Sequence, residues 1–541
     1  MSNLQINTRV RRLFNLIHDF EKGIIRVPAF QRDFEWDNAK KKDLFESIKE
    51  GYPVGSIFFW RPDFSKLEDF KNFESDKIGS YLLPERAMDY FYILDGYQRL
   101  STLFGCLVNP TQTNLKRDDK DWKDNFNLIF NLKTGDIETA KDEKYEIHEV
   151  PLFKFVDGSE FLEFQEELFR LNISKEEANL YKQRYKDFVK TLSSYEMPCV
   201  EILGGTTEEA IDIFIRLNSK GAKITDDWKM SALSFSKFEN FRLGTEIDKL
   251  LEALSYCRFN KLPRKVVFQC ITNAFGDFFY DQTSQNDIKK LKRFIEQPDF
   301  IITVRKTINN IQKAVQFVFE ELFVLDSKFL PYNNQLIFIT DFFNEIENPN
   351  NKQLKSLKKW FWITTYSNYF TIYNLSKQRL AYQAFREFLK DEFKNPVYFD
   401  NKEGTFETLE FPTKVEMGSV RAKALGLFML QFQAKGEKLD VNLVNGYKTY
   451  KLFKEIEGNP NISENTILII DDNSYHVPKS QKDLSDWLES NEDHSKFFIN
   501  SEMKTAFKNG ALKEMILEMR KKLIMEAEKS FVESFKLRYI E

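Results

Sequence analysis

The feature that most restricts the fold of this chain is the alternation of short apolar segments with helix signals in its first 110 residues. Residues 24–28, 55–60 and 91–94 are short apolar segments of the kind that predicts strands. Asp37 is a helix-capping residue type in front of a helically spaced apolar stretch, and helical spacing returns at 100–107. Strands that alternate with helices in this way predict an α+β fold for the N-terminal part of the chain.

The texture of the sequence changes three times along the remaining residues. Residues 110–195 are charged and irregular, and we interpret them as an insertion in a first domain that spans 1–236. Residues 237–400 carry long Phe, Leu and Ile periodicities that predict a mostly helical domain. Residues 401–541 return to a mixed pattern, which predicts a small mixed C-terminal domain.

The bulk charge of the chain excludes a general attraction to nucleic acid. The 541 residues have a formal net charge of −4, so any contact with DNA needs a local basic patch. Candidate patches lie at 289–293, at 355–359 beside Trp360, and at 520–522. Runs of this kind are usually solvated helix faces, and the 54 Phe are those of a helical core rather than a base-stacking surface.

The cysteines and the hydropathy of the sequence indicate a cytoplasmic protein. The four cysteines are far apart and have no CxxC spacing, which argues against a structural zinc site and against a disulfide framework. No apolar run approaches the roughly 20 residues that a membrane-spanning helix needs. We therefore expect a reducing compartment and no membrane partner.

Two segments of the first domain carry polar residues that a fold does not require. Gln31 and Arg32 follow a predicted strand that a proline ends. Further on, a strand passes through the turn Asp95–Gly96 into a helix, so the first amides of that helix point outward beside the guanidinium of Arg99. Taken singly, Gln31-Arg32 is an ordinary surface pair and Asp95-Gly96 an ordinary turn. The turn, the helix amides and Arg99 together also have the residue types of a phosphate-binding site.

A third polar segment occupies 214–221, where a helix ends in a loop that contains glycine. The ordinary interpretation is a helix C-cap, and the functional interpretation is a loop that closes over a bound anion. The candidate residues of this segment are Arg216, Asn218 and Lys220.

Together and in this order, the three segments resemble the N-terminal domain of GmrSD-type modification-dependent restriction enzymes and related phage-defence proteins. That family has the signatures Pro-x-aromatic-Gln-Arg-x-aromatic-x-Trp, Asp-Gly-Gln-Gln-Arg and Phe-x-x-Leu-Asn-x-x-Gly. They occur here at 28–36, 95–99 and 214–221, with Tyr97 in place of the first Gln of the second signature. The acidic pair Asp226-Asp227 followed by Lys229 continues the third segment as the family does.

The resemblance implies a ParB/sulfiredoxin-like fold that binds, and in several members hydrolyses, a nucleoside triphosphate, with a divalent metal such as Mg²⁺. The chain contains no GxxxxGK[ST] segment, so a P-loop is not the route. By the family's pattern, Asp95 positions the metal or the attacking water, and Gln98 and Arg99 hold the phosphates. The other residues that the resemblance places at the nucleotide are Gln31, Arg32, Gly96, Tyr97, Ser101, Thr102, Arg216, Asn218 and Lys220.

Many relatives end in a His-Asn-His nuclease domain, and the C-terminal part of this chain is a poor match to it. His476 follows a Tyr rather than an acidic residue or His and lies in a hairpin-like stretch at 466–478. Asn491 and His494 fall in a charged stretch that is typical of a solvated helix. The three residues are candidates for a variant or degenerate nuclease site, and the ordinary interpretation of His476 is a surface residue.

Three hypotheses follow from the sequence. The leading one is a nucleotide-dependent restriction or anti-phage protein in which NTP turnover by the first domain is coupled to DNA recognition or cleavage. The second is a regulatory subunit that senses a nucleotide without turnover, with the effector on a partner nuclease subunit or another copy of the chain. In the third, the ParB-like domain itself cleaves nucleic acid.

Overall fold

The computed structural model divides the chain into two compact units, Met1–Leu243 and Gly244–Glu541. Three domains were expected, and the further division near residue 400 stays a prediction. The structure describes residues 4–541 with the exception of 29–30, 32–33, 64–73, 76, 111, 141–143, 172, 219–225, 238–240, 278–285, 401–403, 417 and 473–482.

The first unit is built around a mixed five-stranded sheet. The described strands of the whole unit are β1 (Gln5–Arg12), β2 (Ile25–Arg26), β3 (Ile57–Arg61), β4 (Lys77–Ile78), β5 (Tyr81–Leu82), β6 (Phe91–Asp95), β7 (Leu128–Asn131), β8 (Asp136–Thr139), β9 (Glu149–Pro151) and β10 (Glu196–Leu203). The main sheet has the order β1-β10-β3-β6-β2, while β8-β7-β9 and β4-β5 form smaller sheets. β10 pairs parallel with β3, and β3 pairs antiparallel with β6, with a register shift between Phe58 and Phe59.

Helices cover the sheet and close the core of the first unit. They are α1 (Leu13–Glu21), α2 (Asn38–Lys49), α3 (Tyr97–Leu107), α4 (Asp119–Asn125), α5 (Gly158–Arg170), α6 (Lys175–Ser194), α7 (Thr207–Asn218) and α8 (Asp226–Lys237). Asp37 caps α2, as predicted, by accepting a hydrogen bond from the Lys40 amide at 2.9 Å. Phe20 of α1 stacks on Phe104 of α3 with ring centroids 4.5 Å apart, which joins these two helices.

The stretch 110–195 is regular structure rather than irregular, while its interpretation as an insertion stays a prediction. It contributes α4 to α6 and the three-stranded sheet, and its aromatic side chains belong to the core of the first unit. On α6, Tyr181, Tyr185, Phe188 and Leu192 are buried at helical spacing between charged residues. Charged residues occupy many of the other positions of this helix, so its composition alone does not indicate the apolar stripe.

The second unit is mostly helical, as the sequence predicts. Its helices are α9 (Leu243–Ala253), α10 (Arg264–Ala274), α11 (Asn286–Ile295), α12 (Phe300–Leu322), α13 (Asn333–Glu345), α14 (Asn351–Tyr366), α15 (Tyr369–Ile372), α16 (Leu375–Lys390), α17 (Val420–Gln433), α18 (Asp486–Glu489), α19 (Ser501–Lys508) and α20 (Lys513–Glu533). Two strands, β11 (Tyr447–Lys451) and β12 (Thr466–Ile470), pair antiparallel. The described partner of β12 therefore precedes it in the chain, and residues 473–478 of the predicted hairpin lie outside the described residues.

A buried ion pair connects three helices of the second unit. Arg421 of α17 donates two hydrogen bonds to the carboxylate of Glu528 on α20, at 2.6 and 2.7 Å. The hydroxyls of Tyr366 and Tyr539 donate to the same carboxylate at 3.0 and 2.8 Å. Because both oxygens of Glu528 have two donors each, the buried charge is fully compensated and this group serves the fold.

The observed architecture is mixed α/β, with the main sheet in the first unit and a helical second unit, so the predicted fold class is confirmed. In the part of the chain that the structure describes, no helix is long and apolar enough to cross a membrane.

Candidate functional site

The second polar segment forms a sharp connection between β6 and α3. Gly96 has φ +96°, and a Cβ at this position would lie 2.4 Å from Cδ1 of Ile57, so only glycine fits the turn. The first hydrogen bond of the helical ladder runs from the Leu100 amide to the Gly96 carbonyl at 2.9 Å. The amides before Leu100 therefore lie ahead of the ladder, in the arrangement with which helix N-termini bind anions.

Arg99 links this connection to the loop before β3. Its Nη1 donates to the carbonyl of Val54 at 2.8 Å, and its Nη2 donates to Oδ2 of Asp95 at 3.1 Å. The side chain is 17% exposed, and its burial lowers the pKa of the guanidinium, against which the Asp95 carboxylate acts. The Arg99 side chain is thus fixed in place and holds one oxygen of Asp95.

Asp95 remains open on its other side. Its side chain is 30% exposed, and Oδ1 has no hydrogen-bond partner among the described residues. A carboxylate with one oxygen fixed by a guanidinium and the other open is oriented to accept a hydrogen bond from water or to bind a cation.

The first polar segment meets the second one at this connection. The amide of Glu35 donates to Oε1 of Gln98 at 2.9 Å, and Nε2 of Gln31 donates to the carbonyl of Ile93 on β6 at 3.2 Å. Gln98 is 6% exposed, so it joins the two segments beneath the surface. Arg32, predicted to face the same pocket, lies outside the described residues.

Ser101 and Thr102 are not brought to the surface of the site. Both side chains are fully buried in α3, and the Thr102 hydroxyl donates to the carbonyl of Gln98 at 2.9 Å within the helix. Tyr97, which replaces the family's usual glutamine, is also buried. In this conformation a bound phosphate would meet the backbone of the turn rather than these hydroxyls.

The third polar segment is described only up to the end of its helix. α7 packs against β6, the strand that ends in Asp95, and carries Arg216 as an exposed residue in its last turn. Asn218 is the last residue of α7, while Lys220 and the loop around it fall outside the described residues. Asp226 begins the next helix, α8, and is held by Nζ of Lys229 at 2.8 Å.

The described residues form no protein-only metal cage. Within them, no group of three or more His, Cys, Asp and Glu side chains is arranged to hold a metal ion. Mg²⁺ is often bound by only one or two carboxylates together with substrate phosphates and water, a mode of binding that needs no such cage. Asp95 is the residue of the β6–α3 connection that fits such a role, since Oδ1 is open.

His494, one of the C-terminal candidates, has different surroundings from those expected. His494 was expected on a solvated helix, but it precedes a short 3-10 turn, is 2% exposed and stacks on Trp487 with centroids 4.3 Å apart. Its Nδ1 lies 3.3 Å from Nζ of Lys504. Asn491 is exposed, and His476 lies outside the described residues. The ring of His494 stacks on Trp487, which belongs to the same apolar cluster as Phe497 and Ile499. Composition alone does not indicate this burial.

Sequence reasoning missed the loop that supports Arg99. Gly55 has φ +87°, and a Cβ there would lie 2.4 Å from Nη1 of Arg99, so the loop can approach the guanidinium only because this residue is glycine. The available signal was a glycine directly before a predicted strand. Lys41 of α2 was also missed; it is a buried cation beside the rings of Phe34 and Phe126, and burial lowers its pKa.

This site lies in a domain of a known restriction family. Residues 10–235 match the family described as the GmrSD restriction endonuclease, N-terminal domain. The first unit therefore belongs to this family, and the resemblance drawn from the motifs is confirmed. The match places this domain with the N-terminal domains of restriction endonucleases, and it supports a restriction or phage-defence role.

Similarity to a curated relative extends beyond this domain. The chain is 20% identical over 492 residues to the uncharacterized protein MJ0686 of Methanocaldococcus jannaschii. The alignment covers 83% of this chain and 79% of that protein, so it includes much of the second unit.

Proposed function

We propose that the first unit binds a nucleoside triphosphate at the β6–α3 connection and hydrolyses it, as part of a restriction or anti-phage activity directed at DNA. The observation that carries the proposal is the carboxylate of Asp95, fixed through Oδ2 by Arg99 and open at Oδ1, directly before the first amides of α3. Phosphoryl transfer depends mainly on positioning and on charge placed around the transferred group, and this arrangement supplies both.

Each residue of the connection has a separate part in the proposal. The amides of the first turn of α3 receive a phosphate, and Asp95 orients the attacking water or binds Mg²⁺. The cation is required by electrostatics, because a carboxylate and a triphosphate repel each other at close range unless a positive charge lies between them. Arg99 is a positioning residue for Asp95, and Gln98 keeps the segment with Gln31 against the turn.

The ParB/sulfiredoxin-like character of the fold belongs to the same proposal. The proposal also includes the third segment, in which Arg216, Asn218 and Lys220 would close over the bound nucleotide. Arg216 supports it, since this residue is exposed on the helix that packs against β6.

Substitution of Arg99 tests the binding part of the proposal. Arg99→Lys keeps the positive charge but cannot reach both the Val54 carbonyl and Asp95 as a fork does. We expect Arg99→Ala to abolish nucleotide binding and Arg99→Lys to weaken it about tenfold or more, in equilibrium titrations with each ribonucleoside triphosphate and Mg²⁺. Thermal unfolding of each variant is measured beside the titration, because Arg99 also supports a loop.

A retained affinity in a folded Arg99→Ala protein would contradict the assignment of the site. Arg216→Ala is the matched comparison, since it removes the same charge from an exposed position. If the third segment completes the site, this variant binds more weakly but keeps its melting temperature.

A nucleotide sensor without turnover is the second candidate function. Both Arg99 and Gln98 already have partners within the protein, so their donors are engaged away from the transferred phosphoryl group, which favours binding without turnover. In that case nucleotide binding persists while phosphate release is absent, and a partner nuclease subunit or a second copy of the chain carries the effector. Metal-dependent nicking of DNA that is lost in Asp95→Ala would instead indicate that this domain is the nuclease.

A further inference from the structure

A basic groove runs along α14 in the second unit. Its volume is about 470 Å³, and its walls are the first half of α14, the segment 392–399 with Gly404, and residues 535–537. Lysines outnumber acidic residues in the described lining of the groove and its open continuation along α14: Lys352, Lys355, Lys359, Lys394 and Lys536, against Glu392. The local charge is therefore strongly positive although the whole chain is acidic.

Two of these lysines are available to an external anion. Lys355 and Lys359 are exposed, lie four residues apart on one face of α14, and have no ion-pair partner among the described residues. Glu392 does not neutralise them, since its carboxylate is 3.5 Å from Lys352 and accepts a hydrogen bond from Asn350 at 2.7 Å. Lys352 to Lys359 span about 10 Å at the helical rise, which is the length of a few phosphodiester steps.

An aromatic ring stands at the edge of the groove. Phe393 is 80% exposed, and its one close partner among the described contacts is Nζ of Lys352, 3.2 Å from the ring centroid. Trp360 cannot serve the same purpose, because it is 1% exposed and packs against Phe338 and Phe385. An exposed ring beside a line of lysines is the combination with which proteins bind unpaired nucleotides, since every base has a face that stacks.

We propose that this groove binds single-stranded nucleic acid, with Lys355 and Lys359 on the phosphates and Phe393 stacked on a base. A duplex keeps its bases stacked inside and away from a protruding ring, so a single strand is the form that the exposed Phe393 favours. The inference goes beyond the nucleotide site and does not rest on it. Nucleotide binding by groove variants is therefore expected to equal that of the wild type, which separates the two proposals.

The test is equilibrium binding of the full chain to a labelled oligothymidylate of about 16 nucleotides, followed by fluorescence anisotropy between about 50 and about 200 mM salt. The double variant Lys355→Gln/Lys359→Gln is expected to bind more weakly, with a slope of log affinity against log salt reduced by about 1.4, the value for two lost phosphate contacts. Its matched control is Lys313→Gln/Lys508→Gln, which removes two exposed lysines elsewhere in the same unit and is expected to keep the wild-type slope.

Phe393→Leu separates stacking from charge, because leucine keeps an apolar side chain and lacks a π face. We expect about tenfold weaker binding of the oligonucleotide with an unchanged salt slope. The proposal is overturned if the wild type does not bind the oligonucleotide, or if the lysine double variant binds like the wild type. It is equally overturned if a duplex of the same length or poly-glutamate binds better than the single strand, since the groove would then be a general cation surface.

Discussion

At the scale of single residues, the candidate site depends on two glycines as much as on its charged groups. Gly96 lets the chain turn from β6 into α3, and Gly55 leaves room for the guanidinium of Arg99. Neither glycine contributes a side chain, yet each sets where Asp95 and Arg99 lie. The loop that carries Gly55 is therefore part of the site, although its sequence has no chemical motif.

Alanine at position 55 should disturb the site more than alanine at another left-handed glycine. Gly51 and Gly55 have φ +74° and +87°, but a Cβ at Gly51 meets nothing within 4 Å, whereas one at Gly55 meets Arg99. We expect Gly51→Ala to cost about 1 kcal/mol and Gly55→Ala about 1 to 3 kcal/mol more, with weakened nucleotide binding only in the latter. Chemical denaturation and nucleotide titration of both variants measure these effects. Equal losses in the two variants would show that Arg99 is not confined by this loop.

At the scale of elements, the sequence predicted those helices and strands whose formation depends on residues close to one another in the chain. The strand at Phe91–Asp95 and the capped helix Asn38–Lys49 both depend on neighbouring residues, and both lie where expected. The regular structure of 110–195 was not predicted. Its small sheet depends on pairing between β7, β8 and β9, and its helices depend on contacts with distant parts of the core. Such contacts leave no periodic signal in so charged a segment.

The segment that leads into α19 provides a prediction of pH dependence. Burial and the nearby Lys504 lower the pKa of His494 from its ordinary value of 6.5, and Glu492 and Asp493 act in the opposite direction. Because the folded protein then binds this proton more weakly than the unfolded chain, stability is lost as the pH falls through about 6.5. His494→Phe keeps a ring against Trp487 without a titrating group, so its melting temperature should fall less between neutral and acidic pH.

The comparison is made on melting temperatures of the wild type and His494→Phe across that pH range. A parallel decline in both proteins would mean that His494 does not contribute to the acid sensitivity. A steeper decline in the variant would contradict the lowered pKa of His494 in the folded protein.

At the scale of the whole molecule, the two units contribute different chemistry to a chain whose net charge is −4. The motifs of the first unit could be recognised in the sequence because they consist of particular residue types at fixed spacing. The groove of the second unit was not, because Lys355, Lys358 and Lys359 look alike in sequence. Only the fold shows that Lys358 pairs with Glu321 while Lys355 and Lys359 remain exposed. Arg520, in another candidate basic patch, is buried and donates to backbone carbonyls.

The central claim is that Asp95 takes part in nucleotide hydrolysis, and release of phosphate from the four ribonucleoside triphosphates with Mg²⁺, with and without DNA, tests it most directly. Asp95→Asn keeps the size of the side chain and removes its charge, and Asp43→Asn makes the same change at an exposed position of α2. We predict release by the wild type and by Asp43→Asn, and a rate at least about a hundredfold lower for a folded Asp95→Asn protein. Equal rates in all three proteins would contradict the account, and absence of release by the wild type would replace hydrolysis with nucleotide sensing.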